Sequence, residues 1–256
     1  SIQVHSYESL VSFLEKGVDV RYFFNISKCV QHSSPPPFKD VPVFGGKIKY
    51  FSASQNSGGD PGTTVFNNVE YIDENDKDPN EEIHTFWIVN DTAKIFWAKP
   101  GFFVNNTDTI GGIYCDWTKG QGKIWVKLHS QRKLKSFPEI QTSLTSGDEV
   151  GWVVNQTQCH CPGGCQDGIM GDTIRGFKVM KDGSINFSTS MTTIFPLAWN
   201  YIRLITFVHI HANNTATFVT RHLDAPTWEQ DGLDVMHCPI HSELNAEGAR
   251  FYVKRM

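Results

Sequence analysis

A segment near the start of the chain returns past its middle. Ser6 to Cys29 (SYESLVSFLEKGVDVRYFFNISKC) aligns without a gap on Ser136 to Cys159 (SFPEIQTSLTSGDEVGWVVNQTQC), with Ser6/Ser136, Leu14/Leu144, Gly17/Gly147, Val20/Val150, Asn25/Asn155 and Cys29/Cys159 identical. Further on, Gly45 to Phe51 (GGKIKYF) echoes Gly171 to Phe177 (GDTIRGF), Asn90 falls on Asn213, Cys115 on Cys238, and Gly122 to Leu128 (GKIWVKL) parallels Gly248 to Arg255 (GARFYVKR). A repeat of this length constrains the fold more than composition does, because it sets the architecture before any single element is read. The chain reads as two homologous halves, residues 1–132 and 133–256, meeting at a polar join from Gln131 to Lys135.

The same local signals recur in both halves. Tyr7, Leu10, Val11 and Leu14 space one apolar stripe, as do Phe137, Ile140 and Leu144, so each half begins with one short amphipathic helix. Ser136 and Glu139 have capping-box spacing, and Gly17 and Gly147 stand where a helix stops in the left-handed conformation. The remainder of each half is β in character. Half one offers Val18 to Phe24, Lys47 to Phe51, Ile83 to Val89, Lys94 to Trp97 and Ile124 to Leu128. Half two offers Val150 to Val154, Ile174 to Val179, Ser184 to Ser188, Tyr201 to His211 and Thr217 to Arg221. The fold class is α+β, mainly antiparallel β. Gln55 to Asn80, rich in Gly, Asn, Asp and Pro, reads as an inserted mobile loop, and Pro35 to Pro37 as a stiff connector.

The order of helix, glycine, a strand ending NISKC, then GGKIKYF, and in half two GDTIRGFKVMKDGSINFS followed by VHIHANNTATFVTRHLDAP, resembles the VirK-like family of small secreted bacterial domains. The resemblance implies the architecture and secretion, and it brings no catalytic residues. A tandem duplication of such a domain accounts for the internal match.

The six cysteines are even in number and stand beside six Asn-x-Ser/Thr sequons, at Asn25, Asn90, Asn105, Asn155, Asn186 and Asn213. That combination points to an oxidising secretory compartment and a secreted, extracellular glycoprotein whose signal peptide has been removed. Equivalence of the halves pairs Cys29 with Cys115 and Cys159 with Cys238, leaving Cys161 and Cys165 to each other across Pro162-Gly163-Gly164. A rival pairing joins Cys161 to Cys238 and Cys159 to Cys165. The same region admits a zinc reading through Cys159, His160, Cys161, Cys165, His237 and Cys238, but a disulfide framework outranks it in an oxidising setting, so no metal is expected. A Cys-x-x-Cys redox dithiol has the wrong spacing.

A net charge of −4 and a pI near 6.2 give no reason to approach phosphate backbones, and no apolar run spans a bilayer, so neither nucleic acid nor membrane insertion is expected. Two related halves are compatible with a homo-oligomer. The sequence carries no Gly-x-Ser-x-Gly elbow, His-Glu-x-x-His, phosphate loop or dinucleotide fingerprint. It does carry 18 Phe and 7 Trp, most of which suit a β-sandwich core. The leading expectation is a binder of a small hydrophobic or conjugated ligand, such as a carotenoid or other pigment, held between the halves by Trp87, Trp97, Trp199, Tyr201 and Phe207 with His209 and His211 as polar anchors. A bound apolar chromophore is the one cofactor such a cavity suggests. The alternative is a cofactor-independent oxygenase or luciferase-like enzyme, with His209, His211 or His222, read as one surface, supplying the base. A third reading is a structural or recognition glycoprotein without a pocket.

Overall fold

Both helices form where the apolar stripes predict them. In the computed structural model α1 spans Tyr7–Glu15 and α2 spans Phe137–Thr145, each burying its stripe. Each ends in the same left-handed cap: Gly17 has φ +69° and Gly147 +82°, the glycine N–H returns to Leu14 or Leu144, and the next N–H returns to Phe13 or Ser143. The starts differ. Ser6 Oγ accepts the Ser9 N–H at 3.2 Å, but Ser136 makes no such bond and the expected capping box is not formed. Pro138 removes one donor of the first turn, and Asn214 Oδ1, from a distant turn, accepts the Phe137 N–H at 2.7 Å instead. Glu139 takes the Lys135 N–H at 3.1 Å.

The structure describes all residues except 32–42, 55–60, 73–79, 99–111, 129, 196–199, 225–226, 241–247 and 255–256. Pro35 to Pro37, Asn105 and Trp199 lie outside the described residues, and for Trp97 and Tyr201 only the backbone is described.

Half one contributes β1 (Ile2–Val4), β2 (Asp19–Asn25), β3 (Val30–Gln31), β4 (Val43–Lys47), β5 (Phe51–Ala53), β6 (Thr63–Ile72), β7 (Asn80–Val89), β8 (Thr92–Ala98), β9 (Gly112–Asp116) and β10 (Gly122–Lys127). Half two contributes β11 (Gln131–Leu134), β12 (Val150–Asn155), β13 (Ile169–Thr173), β14 (Lys178–Val179), β15 (Ile185–Phe195), β16 (Asn200–His211), β17 (Thr215–Asp224), β18 (Gln230–Pro239) and β19 (Ala249–Lys254). Each half runs one small group of strands in the same order, β1-β10-β2-β4 and β11-β19-β12-β13, and one meander, β6-β7-β8-β9 and β15-β16-β17-β18. Every pairing between these strands is antiparallel, which gives the expected α+β, mainly antiparallel fold.

Among the described residues the halves are joined by one strand pairing. Strand β13 pairs with β5, Gly171 opposite Phe51 and Ile169 opposite Ala53, so the small group of half two and the meander of half one make one ten-stranded sheet. The cores interpenetrate to match. Phe66 and Phe86 stack at 4.8 Å in the first core, which also takes Val153, Ile169 and Tyr252 from half two. Trp152 lies 5.4 Å from Phe218 in the second core, which takes Tyr50 from half one. Around this seam Lys254 and Lys47 each lie 2.9 Å from Asp19, and Arg250 lies 3.2 Å from Glu15. Burial would raise the Asp19 carboxyl, but hydrogen bonds from the two ammonium groups outweigh it and hold the group below the usual carboxylate range.

Five sequence expectations are corrected. Gln131 to Lys135 is not merely a polar join, since Gln131–Leu134 is β11, an edge strand paired with β19 and burying Leu134. Lys47 to Phe51 is not one strand but the corner between β4 and β5, and Ile174 to Val179 likewise leaves β13 before β14. The supposed insertion Gln55 to Asn80 contains β6, the counterpart of β15; Asn67, which disguises it, donates to the Thr192 carbonyl of that strand at 3.4 Å. Finally, Ile124 lies opposite Tyr22 and Phe251 opposite Trp152, so Gly122 corresponds to Ala249, one residue beyond the match with Gly248. The matched segments differ in length by one residue, so the slip is confined to their glycine ends, and Val126 and Val253 stand opposite the equivalent Val20 and Val150.

Three disulfides are present: Cys29–Cys115, Cys159–Cys238 and Cys161–Cys165. This is the connectivity expected from the equivalence of the halves, not its rival.

Candidate functional site

Strand alternation decides which side chains can meet. In the five-stranded sheet β14-β15-β16-β17-β18, Thr206, Val208 and Ile210 of β16 and Ala216, Phe218 and Thr220 of β17 are buried toward the second core. His222 continues that inward row. Just beyond it the ladder slips: His222 stands opposite Gly232, whereas Leu223 stands opposite Gln230, a β-bulge of the kind that re-aims a side chain. A Cβ on Gly232 would lie 3.3 Å from His222 Cγ, closer than the ring tolerates without moving. With glycine there, the imidazole crosses to β18 and its Nε2 sits 2.8 Å from Asp234 Oδ2.

This pair borders a cleft of about 260 Å³ at the seam of the two halves. Leu204, Met170 and Met236 supply its apolar surface, Tyr50 and Ser52 enter from half one, and Gln156 and Gln166 add amides. The lip is Cys161 to Gly164, the segment closed by the short disulfide. A line of hydroxyls runs from the core to the cleft wall, Tyr50 to Thr206 at 3.2 Å and Thr206 to Thr220 at 2.9 Å. Burial pushes the Tyr50 phenol up to about 12, so it stays protonated and serves as a hydrogen-bonding group. Chemically the cleft offers an apolar pocket, one imidazole whose second nitrogen is fixed by a carboxylate, and neutral polar groups. A carboxylate on one ring nitrogen sets the tautomer and leaves the other nitrogen to accept or donate.

The residues singled out from the sequence are scattered. His209 and His211 lie on the outer face of the sheet, bonded to Asn186 Oδ1 at 2.9 Å and Thr217 Oγ1 at 3.1 Å, while His222 lies on the inner face. The three imidazoles therefore do not form one surface: the short turn after His211 pairs His209 with Thr217 and His211 with Thr215, which sends even-numbered residues of both strands inward. Phe207 is also outward, 38% exposed, its ring 6.0 Å from the Arg221 guanidinium, and it does not border this cleft. Trp87 is half-buried on β7 away from the cleft, and its buried indole N–H has no acceptor among the described residues. Of the ligand-binding and catalytic candidates with described side chains only His222 borders the cleft. His237 is on β18, and with all six cysteines bridged the Cys/His set has no thiolate to offer a metal.

Reasoning from the sequence missed Asp234, Gly232, Tyr50, Leu204 and Met170. The bulge that joins His222 to Asp234 has no signature beyond an isolated glycine, and Tyr50 belongs to a corner read as strand. The one signal pointing there was the cysteine loop unique to half two.

Residues 133–228 match the profile of the VirK protein family. The match covers most of half two and none of half one. Among solved structures, the crystal structure of lpg1832, a VirK family protein from Legionella pneumophila, aligns with 21% identity and a TM-score of 0.42, covering 46% of this chain and 97% of that one. No curated protein matches.

Proposed function

We propose, for a chain that carries a VirK-like domain in residues 133–228, that it is a secreted glycoprotein which binds a compact, mainly apolar ligand with one hydrogen-bonding end. The cleft beneath the Cys161–Cys165 loop is the binding site. The observation that carries this reading is the His222–Asp234 pair at 2.8 Å, beside Leu204, Met170 and Met236, in a cleft of about 260 Å³. That volume lies just under the roughly 300–1,000 Å³ of typical small-molecule sites. It fits a ring-sized ligand, or the ring end of a longer conjugated one, better than an entire carotenoid. In half one the corresponding place sets Phe44 against His84 at 4.7 Å; half two has Met170 and Thr206 there. The two halves are then copies of one unit, of which the second has opened a pocket.

Native mass spectrometry and an absorption spectrum of protein from its natural source test the reading. A co-purifying small molecule that is lost in Leu204→Trp, a substitution that fills the cleft, is the expected result. Material that carries nothing, and that shows no difference between wild type and Leu204→Trp for any apolar probe, overturns it. The enzymatic alternative rests on the same His222, whose ring nitrogen opposite Asp234 would act as base on the bound ligand. Turnover in oxygen that His222→Gln abolishes while binding persists distinguishes it from simple binding.

Secretion is supported by the three disulfides, which persist in oxidising compartments. At Asn25, Asn155 and Asn213 the hydroxyl two residues on donates to the Asn Oδ1, at 2.6, 2.7 and 2.7 Å, leaving the amide nitrogen for a glycan. A mass shift on enzymatic deglycosylation checks this part.

A further inference from the structure

We propose that the Cys161–Cys165 disulfide is a redox latch on the cleft, a regulation that rests on the binding reading above. Its setting differs from that of the other two bridges. In each of the other two bridges one cysteine is buried inside a core, Cys115 at 0% and Cys238 at 1% exposed, and its partner, Cys29 or Cys159, is half-buried, whereas Cys161 and Cys165 are both partly exposed at the rim. Thiol–disulfide exchange requires an incoming thiolate to reach a sulfur, and this bridge presents two partly exposed cysteines where the others present one.

The latch closes a loop that little else holds. A Cβ on Gly163 or on Gly164 would meet nothing within 4 Å, so there is open space beside the glycine tip, while Cys161 at its base packs against the second core. Its one backbone bond within the loop runs from the Gly164 N–H to the Cys161 carbonyl at 3.0 Å. Cys161, Pro162, Gly163 and Gly164 all border the cleft, with Gln156 and Gln166 on the flanking chain. Half one has no counterpart of this bridge: there the chain passes from Cys29 directly into β3, which pairs with β9. In half two that pairing shrinks to a single bridge between His160 and His237, and the diverted chain becomes the lip. The extra disulfide and the cleft therefore occur together.

The chemistry is a two-electron exchange with a dithiol reductant. One reductant thiolate attacks a loop sulfur, the Cys161–Cys165 bond breaks, and a mixed disulfide forms. The second reductant thiol then displaces it, so the protein ends with two thiols, having gained two electrons and two protons, and the reductant ends as a cyclic disulfide. The freed loop no longer fixes the rim, and the cleft loses its defined wall.

The test reads two signals on the intact protein. In a dithiothreitol titration with alkylation and peptide mapping, Cys161 and Cys165 should be labelled at a concentration at least tenfold below that needed for the other four cysteines. The dissociation constant of the dye 1-anilinonaphthalene-8-sulfonate should change at least threefold over the same step, and in the Cys161→Ser/Cys165→Ser double variant without reductant. Labelling of all six cysteines together, or an unchanged dye affinity in both the reduced protein and the double variant, overturns the latch. Leu204→Trp separates the two readings: if it abolishes dye binding while the double variant binds like wild type, the cleft stands and the latch falls. If Leu204→Trp leaves the dye affinity unchanged, the cleft reading falls and the latch falls with it.

Discussion

Half one and half two share their strand order, their helix caps and one disulfide each, but they differ wherever one touches the other. Gly17 and Gly147 hold the same place after equivalent helices with nearly the same φ. Yet the Tyr252 ring covers Gly17 so closely that a Cβ there would sit 2.3 Å from it, whereas a Cβ on Gly147 would meet nothing within 4 Å. Similarly β13 continues into β5, while β4, its equivalent, has β2 as its described partner. Among the described residues the strand pairing that joins the halves is thus one-sided. Similarity of sequence marks what each half needs in order to fold; the seam and the cleft are where the two halves differ.

Equivalence makes its largest claim on the two long disulfides. They close loops of 86 and 79 residues, and each should contribute about 4 kcal/mol in the chain-entropy picture. Replacing Cys29 and Cys115 by Ser should therefore cost about as much in denaturant unfolding as replacing Cys159 and Cys238. Removing the short Cys161–Cys165 bridge should cost about half as much. A long bridge whose loss cost no more than that of the short one would break the equivalence.

The glycines sharpen the contrast at the seam. Gly147→Ala should cost about 1 kcal/mol, the penalty of placing a side chain in the left-handed region. Gly17→Ala should cost about 3 kcal/mol, since the same penalty is joined by overpacking against Tyr252. A double-mutant cycle with Tyr252→Ala should recover the excess at Gly17 and nothing at Gly147. Equal costs at the two positions would mean that Tyr252 yields easily and that the seam is loose. A smaller effect is expected at the cleft. Met170→Phe restores the residue type that half one carries at Phe44, and it should weaken dye binding about tenfold, about 1.4 kcal/mol, with little change in stability.

The parts legible in the sequence are those governed by local chemistry. Two helices, their terminal glycines and the register of GGKIKYF with GDTIRGF all stem from period, caps and identity, and the structure pairs Gly45 and Gly171 with equivalent residues, Phe23 and Val153. Strand β6 was hidden because Asn67 interrupts its alternation, and that Asn serves the neighbouring strand β15 rather than solvent. The histidines show the limit most sharply. Alternation correctly puts His209 and His211 on one face, but the turn to β17 sets the phase of the next strand, and a bulge then decides where His222 points. Asp234 has no local signal at all. It becomes significant only once the long-range register of β17 and β18 is known.

Acid should act on the seam unevenly, and Asp19 sets the direction. Its folded-state carboxyl lies below the usual range because Lys254 and Lys47 donate to it, whereas in the unfolded chain it returns to about 3.9. The unfolded state therefore binds more protons between those values, and the stability this group provides is fully present above about pH 4 and lost as the pH falls through the folded value. Asp19→Asn should lower stability at neutral pH and flatten the acid limb of the stability curve, measured by urea unfolding from pH 6 to pH 2. Glu149, the equivalent position in half two, is 54% exposed on its side chain against 10% for Asp19 and lies 3.4 Å from Lys254. Solvent screens such a pair, so Glu149→Gln should change the neutral-pH stability less than Asp19→Asn does. If the two substitutions had the same effect, the ammonium of Lys254 would be shared evenly between the halves, and the one-sided seam would have to be redrawn as a symmetric one.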